Sequence, residues 1–509
     1  MNLRHFCRKT AGFLLTAAIL MGGTITAYAR PDWPSDVGIL ADSGILMDMD
    51  SGTVIFGQQL HQTFPPASIT KLLTALVVAE HASLDDVVTF SHDAVYNVEA
   101  GSGNKLSLEE GDKLTVEDCL YALLLISSNQ SANALAEHVA GSREAFVEMM
   151  NQKIAELGCQ ESHFANPSGL NDENQYVSAY DMGLIATAAF HNETVLSISS
   201  AKSHKITETI NNPEGIGFKM EHRILMAGPD NPDYYCEGAV AGKTGYTSIA
   251  GNTLVTYAAR EGQNLVSVIL KGTQPQYYVD AKALLDFGFA SVKNLKISEN
   301  ETLLTAAETV LIGDQTYQSS DLSMDDQAVI TVPKEASFAD VDSQIVTDIP
   351  ADAPVGAAAY LQYTYNDRKI GGVYLISASL KAAEEAAASS ADGINGTEKD
   401  GQEHGTVTDR VQPSGSDKAA SGSETENKNI SGGVSLKLVV SLLLAAVIGA
   451  AAGAAVYFLQ KKKKQEAAAA AARRERRLRR LQEIGCSQEE FEKLLNERKR
   501  ASVRRGKRR

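Results

Sequence analysis

The strongest constraint on this 509-residue chain is a run of 22 residues, Leu438 to Leu459, that carries no charge. As a helix rising 1.5 Å per residue it would be about 33 Å long, matching a hydrocarbon core of about 30 Å. Lys461, Lys462, Lys463 and Lys464 follow almost at once, and Arg473, Arg474, Arg476, Arg477, Arg479 and Arg480 come soon after. Positive charge massed beside one end marks that end as cytoplasmic. A single transmembrane helix over 436–459 is therefore expected, with the C-terminus inside and globular structure confined to the residues before it. The N-terminus reads as an export signal over 1–29. Arg4, Arg8 and Lys9 precede the apolar stretch Ala11–Gly23, and Ala27-Tyr28-Ala29 forms a cleavage site. The expected location is the cell membrane, single-pass, with residues 30–435 extracytoplasmic and the C-terminus cytoplasmic.

Charge follows the same division. Residues 460–509 hold 19 Lys and Arg against 7 Asp and Glu, whereas residues 30–436 hold 24 against 56. The overall charge of −16 thus hides an acidic exported body and a basic tail. An exported body with that balance offers no basic face for nucleic acid, so no nucleic-acid partner is expected. The tail over 460–509 reads as a basic surface held on anionic lipid. Gly449 and Gly453 form a GxxxG within the apolar run, which permits a homodimer through close helix packing.

Between 35 and 290, short apolar strands flank longer helical patterns. Gly38–Leu40, Ile45–Met47 and Thr53–Ile55 read as opening strands around a turn at Asp50-Ser51-Gly52. From Ser68 onward Ile69, Leu72, Leu73, Leu76 and Val77 form an apolar helical face. Thr115 to Ile126 reads as a second helix with a T-x-x-D cap, and Ser131 to Ala140 as a third, closed by Gly141. Gly251–Ala258 and Leu265–Leu270 read as strands and Ala281–Phe287 as helix. Strands at both ends around a helical middle imply one sheet completed by distant segments. Residues 295–380 read as a small β domain. Residues 381–435 lack Leu, Met and aromatic residues and read as a disordered linker. The expected class is α+β, an antiparallel sheet with helices followed by an all-β domain and the membrane helix.

Three short motifs carry the chemistry. Ser68-Ile69-Thr70-Lys71 opens an apolar helix, so the serine lies near free backbone N–H groups and the lysine one turn away on the same face. That is a nucleophile with an amine in reach. Ser127-Ser128-Asn129 falls where Leu123-Leu124-Leu125-Ile126 stops, in a tight turn between two helices. Lys243-Thr244-Gly245 precedes Tyr246 on a strand, where Lys243 and Gly245 face one side and Thr244 the other. Glycine there admits close backbone approach. A second S-x-x-K, Ser199 to Lys202, lies in a polar stretch read as loop. Ser102-Gly103-Asn104 and Ser131-Ala132-Asn133 repeat the S-x-N pattern in poorer context. Cys119, Cys159 and Cys236 are the exported cysteines, an odd number that leaves at least one thiol unpaired. With no CxxC, no HExxH and scattered histidines, neither metal nor cofactor is expected.

With these motifs in this order, the chain resembles the serine-type D-alanyl-D-alanine carboxypeptidases, the low-molecular-weight penicillin-binding proteins. The likeness runs from about 35 to 380. It includes Pro65-Pro66-Ala67-Ser68-Ile69-Thr70-Lys71, Asn166-Pro167-Ser168-Gly169-Leu170, Ala179-Tyr180-Asp181-Met182 and Gly242-Lys243-Thr244-Gly245-Tyr246-Thr247. In the small domain Ala353-Pro354-Val355-Gly356 and Lys369-Ile370-Gly371-Gly372 match. The resemblance implies a β-lactamase/transpeptidase-like domain acting on a peptidoglycan stem peptide and inhibited by β-lactams. Ser68 is the implied nucleophile, Lys71 the base, and Ser127 the proton relay. Asn129, Lys243, Thr244 and Gly245 are the implied substrate contacts, with the backbone N–H groups of Ser68 and Tyr246 as the oxyanion hole. The family's histidine in the N-P-x-G-L segment is Ser168 here. Its arginine near the start of the helix after the last strand has no counterpart in Gln276-Tyr277-Tyr278-Val279-Asp280. A penicillin-binding transmembrane sensor and a β-lactamase are the alternative readings.

Overall fold

The computed structural model describes residues 30–98, 102–350 and 353–392. The expected signal over 1–29, the linker beyond 392, the span over 436–459 with Gly449 and Gly453, and the tail lie outside the described residues. Among the described residues no helix is long and apolar enough to cross a membrane.

One sheet is built from the two ends of the first 290 residues. Strands β1 (Ser43–Asp48) and β2 (Val54–Gln58) open it, and β3 (Ala239–Thr247), β4 (Gly251–Arg260) and β5 (Gln263–Gly272) complete it. The order is β2-β1-β5-β4-β3 with every neighbouring pair antiparallel. Side chains alternate along each strand, so both faces are apolar. Ile45, Met47, Val255 and Val268 face a core shared with α1 (Lys71–His81), α2 (Val116–Leu125), α3 (Asn129–Ala140) and α4 (Ala179–His191). Leu46, Leu254 and Ile269 face a second core under α5 (Gln276–Ser291). The strand β3 lies at the sheet edge, beside the helical layer.

Helix ends largely follow the sequence cues. Thr115 accepts a hydrogen bond from Asp118 N at 3.0 Å, as its T-x-x-D pattern implies. Gly141, at φ +79°, closes α3 in the left-handed conformation. Two expectations are corrected. The third helix starts at Asn129 and not Ser131, because Ser128 takes the cap and accepts from Ser131 N at 3.1 Å. Gly38–Leu40 is not a strand. The Leu40 and Ala41 amides donate instead to the Asp280 carboxylate, at 3.0 and 2.9 Å.

A second antiparallel sheet starts directly where α5 ends. It contains β6 (Val292–Lys296), β7 (Val329–Pro333), β8 (Asp342–Val346), β9 (Ala357–Tyr365) and β10 (Arg368–Ser377), in the order β6-β7-β10-β9-β8. It has its own core of Ile330, Val332, Leu361, Tyr363, Ile370 and Leu375. Its first strand precedes the expected boundary at 295, so no linker separates the two sheets. Polar groups at their junction, Asp48 and Thr331 buried and the rest half-buried, tie them instead. Asn294 donates to Asp48 at 2.9 Å, Ser51 and Thr331 hydroxyls meet at 2.6 Å, and the Arg368 guanidinium lies 4.5 Å from the Trp33 ring centroid.

The chain then enters α6 (Ala378–Asp392), where a disordered linker was expected from 381. Alanine is the best helix former, and this segment is rich in it. Ser377 Oγ caps the first turn by accepting from Leu380 N at 3.1 Å, and Glu384 accepts from Gly356 N at 2.7 Å.

Candidate active site

The backbone enters α1 through a 3₁₀ turn, Ala67–Thr70, in which Ala67 holds φ +51°. That conformation is strained for a residue with a Cβ and persists only where neighbours impose it. Three contacts do so here. Thr253 Oγ1 donates to Pro66 O at 2.8 Å, and Thr70 Oγ1 to Ala67 O at 2.9 Å. Gly169 is pressed so closely on this turn that a Cβ there would lie 1.9 Å from Ala67 O. The loop carrying Gly169 is itself organised by Asn166, whose Oδ1 accepts from the Ser168 and Gly169 amides at 3.2 and 2.8 Å.

Ser68 is thereby held beside Lys71, with Nζ 3.1 Å from Oγ. Lys71 is fully buried on the first turn of α1. Its amine also donates to Asn129 Oδ1 at 2.7 Å and to the Ser168 carbonyl. Asn129 reaches it from the first position of α3, immediately after the interhelical turn.

In that turn Ser127 has φ +64°, and Ser128 N closes onto Ala122 O at 3.0 Å. Its hydroxyl lies 3.2 Å from Lys243 Nζ, which donates also to Thr244 O at 2.7 Å. The two-residue alternation expected for K-T-G is present on β3. Lys243 points inward and is buried, and Gly245 meets the nucleophile turn, where a Cβ would lie 2.8 Å from Ser68 N. Glycine is thus needed for the strand to lie against Ser68 itself. Thr244 faces the opposite side, as does Tyr246, whose side chain is 67% exposed.

Burial disfavours a charged amine, and a second cation nearby lowers its affinity for a proton further. Burial, then Lys243 and Lys105, hold Lys71 well below the ordinary lysine range. Burial pushes Lys243 down to about 7, with Glu221 opposing and Lys105 adding to the fall. Lys71 is thereby shifted toward the neutral amine that a proton acceptor requires.

Several contributors were not found from sequence. Ser168 acts through its carbonyl, and Gly169 and Thr253 act by shaping the turn at Ala67. Lys105 donates to Ile126 O at 2.9 Å and pairs with Glu221 at 2.8 Å, bracing the residue before Ser127. The competing motifs are elsewhere engaged. Ser199 lies in the last turn of a helix over Glu193–Ser200 and is buried, not in a loop, and Lys202 donates to Leu225 O. Asn104 folds its own loop by pairing with Leu108 backbone, and Ser131 donates to Ser128. Cys119, Cys159 and Cys236 are all free thiols. Among the described residues no cluster of metal-ligating side chains occurs.

A family profile described as D-alanyl-D-alanine carboxypeptidase matches residues 30–274. D-alanyl-D-alanine carboxypeptidase DacF of Bacillus subtilis is 28% identical over 355 residues, covering 68% of this chain and 87% of that protein. D-alanyl-D-alanine carboxypeptidase DacB2 of Mycobacterium tuberculosis is 34% identical over 266 residues, 51% of this chain and 84% of that protein. Among solved structures, penicillin binding protein 5 from Haemophilus influenzae aligns with a TM-score of 0.54 at 25% identity. It covers 68% of this chain and 98% of its own.

Proposed function

Since the chain belongs to the D-alanyl-D-alanine carboxypeptidase family of low-molecular-weight penicillin-binding proteins, we propose a specific division of labour among its clustered side chains. The activity is serine D-alanyl-D-alanine carboxypeptidase, a hydrolase acting on peptidoglycan stem peptides and binding β-lactams. In the proposed mechanism Ser68 Oγ attacks the carbonyl carbon of the penultimate D-alanine. Its proton passes to the neutral Lys71 amine, which the Asn129 and Ser168 oxygens hold in place. The backbone N–H groups of Ser68 and Tyr246 receive the developing oxyanion. The bond to the terminal D-alanine nitrogen breaks, and that amine takes up a proton relayed by Ser127. Lys243 and Thr244 hold the terminal carboxylate. Water then attacks the Ser68 ester, its hydroxyl joining the shortened stem peptide and its proton restoring Ser68. A β-lactam follows the first half of this course, its ring amide opening onto Ser68.

The single observation that supports these roles best is the 3.1 Å approach of a fully buried Lys71 amine to Ser68 Oγ. The test uses the full-length protein with diacetyl-L-Lys-D-Ala-D-Ala and a fluorescent penicillin. The wild type releases D-alanine and takes a stable label, and Ser68→Ala loses both. Survival of either signal in that variant would refute Ser68 as the nucleophile.

We further propose that 1–29 is an export signal and that 436–459 crosses the membrane once. Residues 30–435 then face the wall, 460–509 lies on the cytoplasmic lipid surface, and Gly449 and Gly453 pair two copies. The uncharged run ending in Lys461–Lys464 supports this topology. Protease accessibility of each end in sealed membranes tests it.

A further inference from the structure

We propose that the cleft between the two sheets is an accessory site that holds the acidic glycan strand to which the stem peptides are attached. The inference goes beyond the carboxypeptidase reading above and rests on it only for the identity of the polymer.

Chain geometry places this cleft away from Ser68. Thr253, which braces the nucleophile turn, and Arg260 stand seven residues apart on β4, about 23 Å along the strand. Beyond Arg260 the turn between β4 and β5 meets β6 and β7, and a cleft of about 950 Å³ opens there. A second cleft of about 990 Å³ continues from it against β9 and β10. Gly262, Lys296 and Val329 line both, so the two form one groove along the junction. Either part alone has the size of a small-molecule site, and together they suit a longer chain.

Three features of the lining match such a chain. The first part carries Arg260, Lys293, Lys296 and Lys334 against Glu237, Glu261 and Asp286, an excess of cations on an exported body that is otherwise strongly acidic. Asp286 is already taken by Arg260 and Lys282, and the three lysines make no ion pair among the described residues. Lys296 and Lys334 are exposed, so their charges are open to the carboxylates of a ligand. In the second part charge balances, Lys296 and Lys381 against Asp50 and Asp325, and aromatic side chains take over. Tyr360 and Tyr374 are paired across β9 and β10 with ring centroids 5.0 Å apart, and neither joins the core of that sheet. Tyr360 is held over Gly372, where a Cβ would come 2.5 Å from the ring. A fixed aromatic wall gives the apolar face of a sugar a surface to stack on. Lastly, Gln263 lines the first part and is only 7% exposed, and its Nε2 is buried with no hydrogen-bond partner among the described residues. A buried donor left unpaired is costly, and the acetamido carbonyl of an amino sugar is the kind of acceptor it lacks. A strand anchored in this groove raises the local concentration of its own stem peptides around Ser68.

The experiment compares full-length wild type with a triple variant, Lys293→Gln, Lys296→Gln and Lys334→Gln, with the matching triple Lys→Arg variant, and with Tyr360→Ala and Tyr360→Phe. The turnover probes are uncrosslinked peptidoglycan strands bearing D-Ala-D-Ala stems and the free peptide diacetyl-L-Lys-D-Ala-D-Ala. The binding probe is fluorescein-labelled strands whose stems have already lost the terminal D-alanine. For the triple Lys→Gln variant and Tyr360→Ala, kcat/KM on strands should fall roughly tenfold, carried by KM, and stay within about twofold of wild type on the free peptide. Trimmed strands should bind more weakly by a similar factor, with the triple Lys→Arg variant and Tyr360→Phe recovering most of the loss. Added salt should weaken binding by wild type more than by the triple Lys→Gln variant. Equal loss on strands and free peptide would mean that the groove only supports the fold, and no loss on strands would mean that they do not lie in it. Binding of a glycerol phosphate polymer but not of trimmed strands would give the groove another occupant. Each of these results overturns the proposal. Failure of the carboxypeptidase reading looks different, because wild type would then release no D-alanine from either probe while trimmed strands still bind in the groove.

Discussion

Gly245→Ala adds one carbon at the point where β3 meets the nucleophile turn. An ideal Cβ there lies 2.4 Å from Thr253 Oγ1, 2.8 Å from Ser68 N and 3.1 Å from Ala67 Cβ. The threonine can rotate away, at the loss of its hydrogen bond to Pro66 O, a change of about 1 kcal/mol. Ser68 N is backbone and has no such freedom. Reaching an ordinary contact of 3.4 Å requires strand and turn to part by about 0.6 Å. That movement pulls the Ser68 amide out of line with a donor on β3, and losing one oxyanion donor slows reaction by ~10²–10³. Overpacking of this kind costs about 1–3 kcal/mol of stability, so the variant stays folded. The assay is the second-order rate of labelling by fluorescent penicillin, with thermal unfolding measured alongside. Labelling should fall about 100-fold, whereas Gly38→Ala, which meets nothing within 4 Å, should match wild type. A folded Gly245→Ala protein that labels within threefold of wild type would show that the turn and strand need not touch for acylation.

The pH dependence of kcat/KM should be bell-shaped. Activity rises as Lys71 loses its proton and falls as Lys243 loses its own, placing the alkaline limb near pH 7 and far below the ordinary lysine value. A profile still rising at pH 9 contradicts the assignment. The Lys105–Glu221 pair should tune that bell in opposite senses. Lys105→Met removes a charge that lowers both amines and moves the profile to higher pH, whereas Glu221→Gln removes one that raises Lys243 and moves the alkaline limb lower. Shifts of the same sign in the two variants count against an electrostatic role. At the domain junction, burial raises the Asp48 carboxyl from 3.8 to about 6. The folded state thus holds that proton more tightly than the unfolded chain. Between pH 4 and 6 this one group removes about 3 kcal/mol of stability as pH rises. Asp48→Asn should flatten the slope of unfolding free energy over that window, measured by urea titration at several pH values, and an unchanged slope refutes it.

What could be read from sequence was the chemistry carried by residue type at short spacing. Ser68 and Lys71 sit one helical turn apart, so their meeting follows from local geometry. Ser127 and Lys243 were legible because a helix end and a strand each fix a direction. The supporting groups were not. Ser168 contributes a carbonyl that no side-chain pattern marks, and Gly169 and Thr253 matter only because segments roughly 100 and 187 residues away close on the Ala67 turn. Lys105 and Glu221, 116 residues apart, form an ion pair that only folding creates. Errors arose where two physical preferences compete. Gly38–Leu40 is apolar enough for a strand, but Asp280 supplies its amides with an acceptor. Residues 381–392 are polar enough for a linker, yet alanine content and a serine cap make them helix.

The direct passage from α5 into β6 has a mechanical outcome. With Asp48, Ser51, Asn294 and Thr331 interlocked across the seam, the two sheets turn as one lever. No elbow near residue 290 lets the catalytic mouth swivel by itself. The small sheet therefore moves with the cleft, and a label placed on either sheet reports the orientation of both.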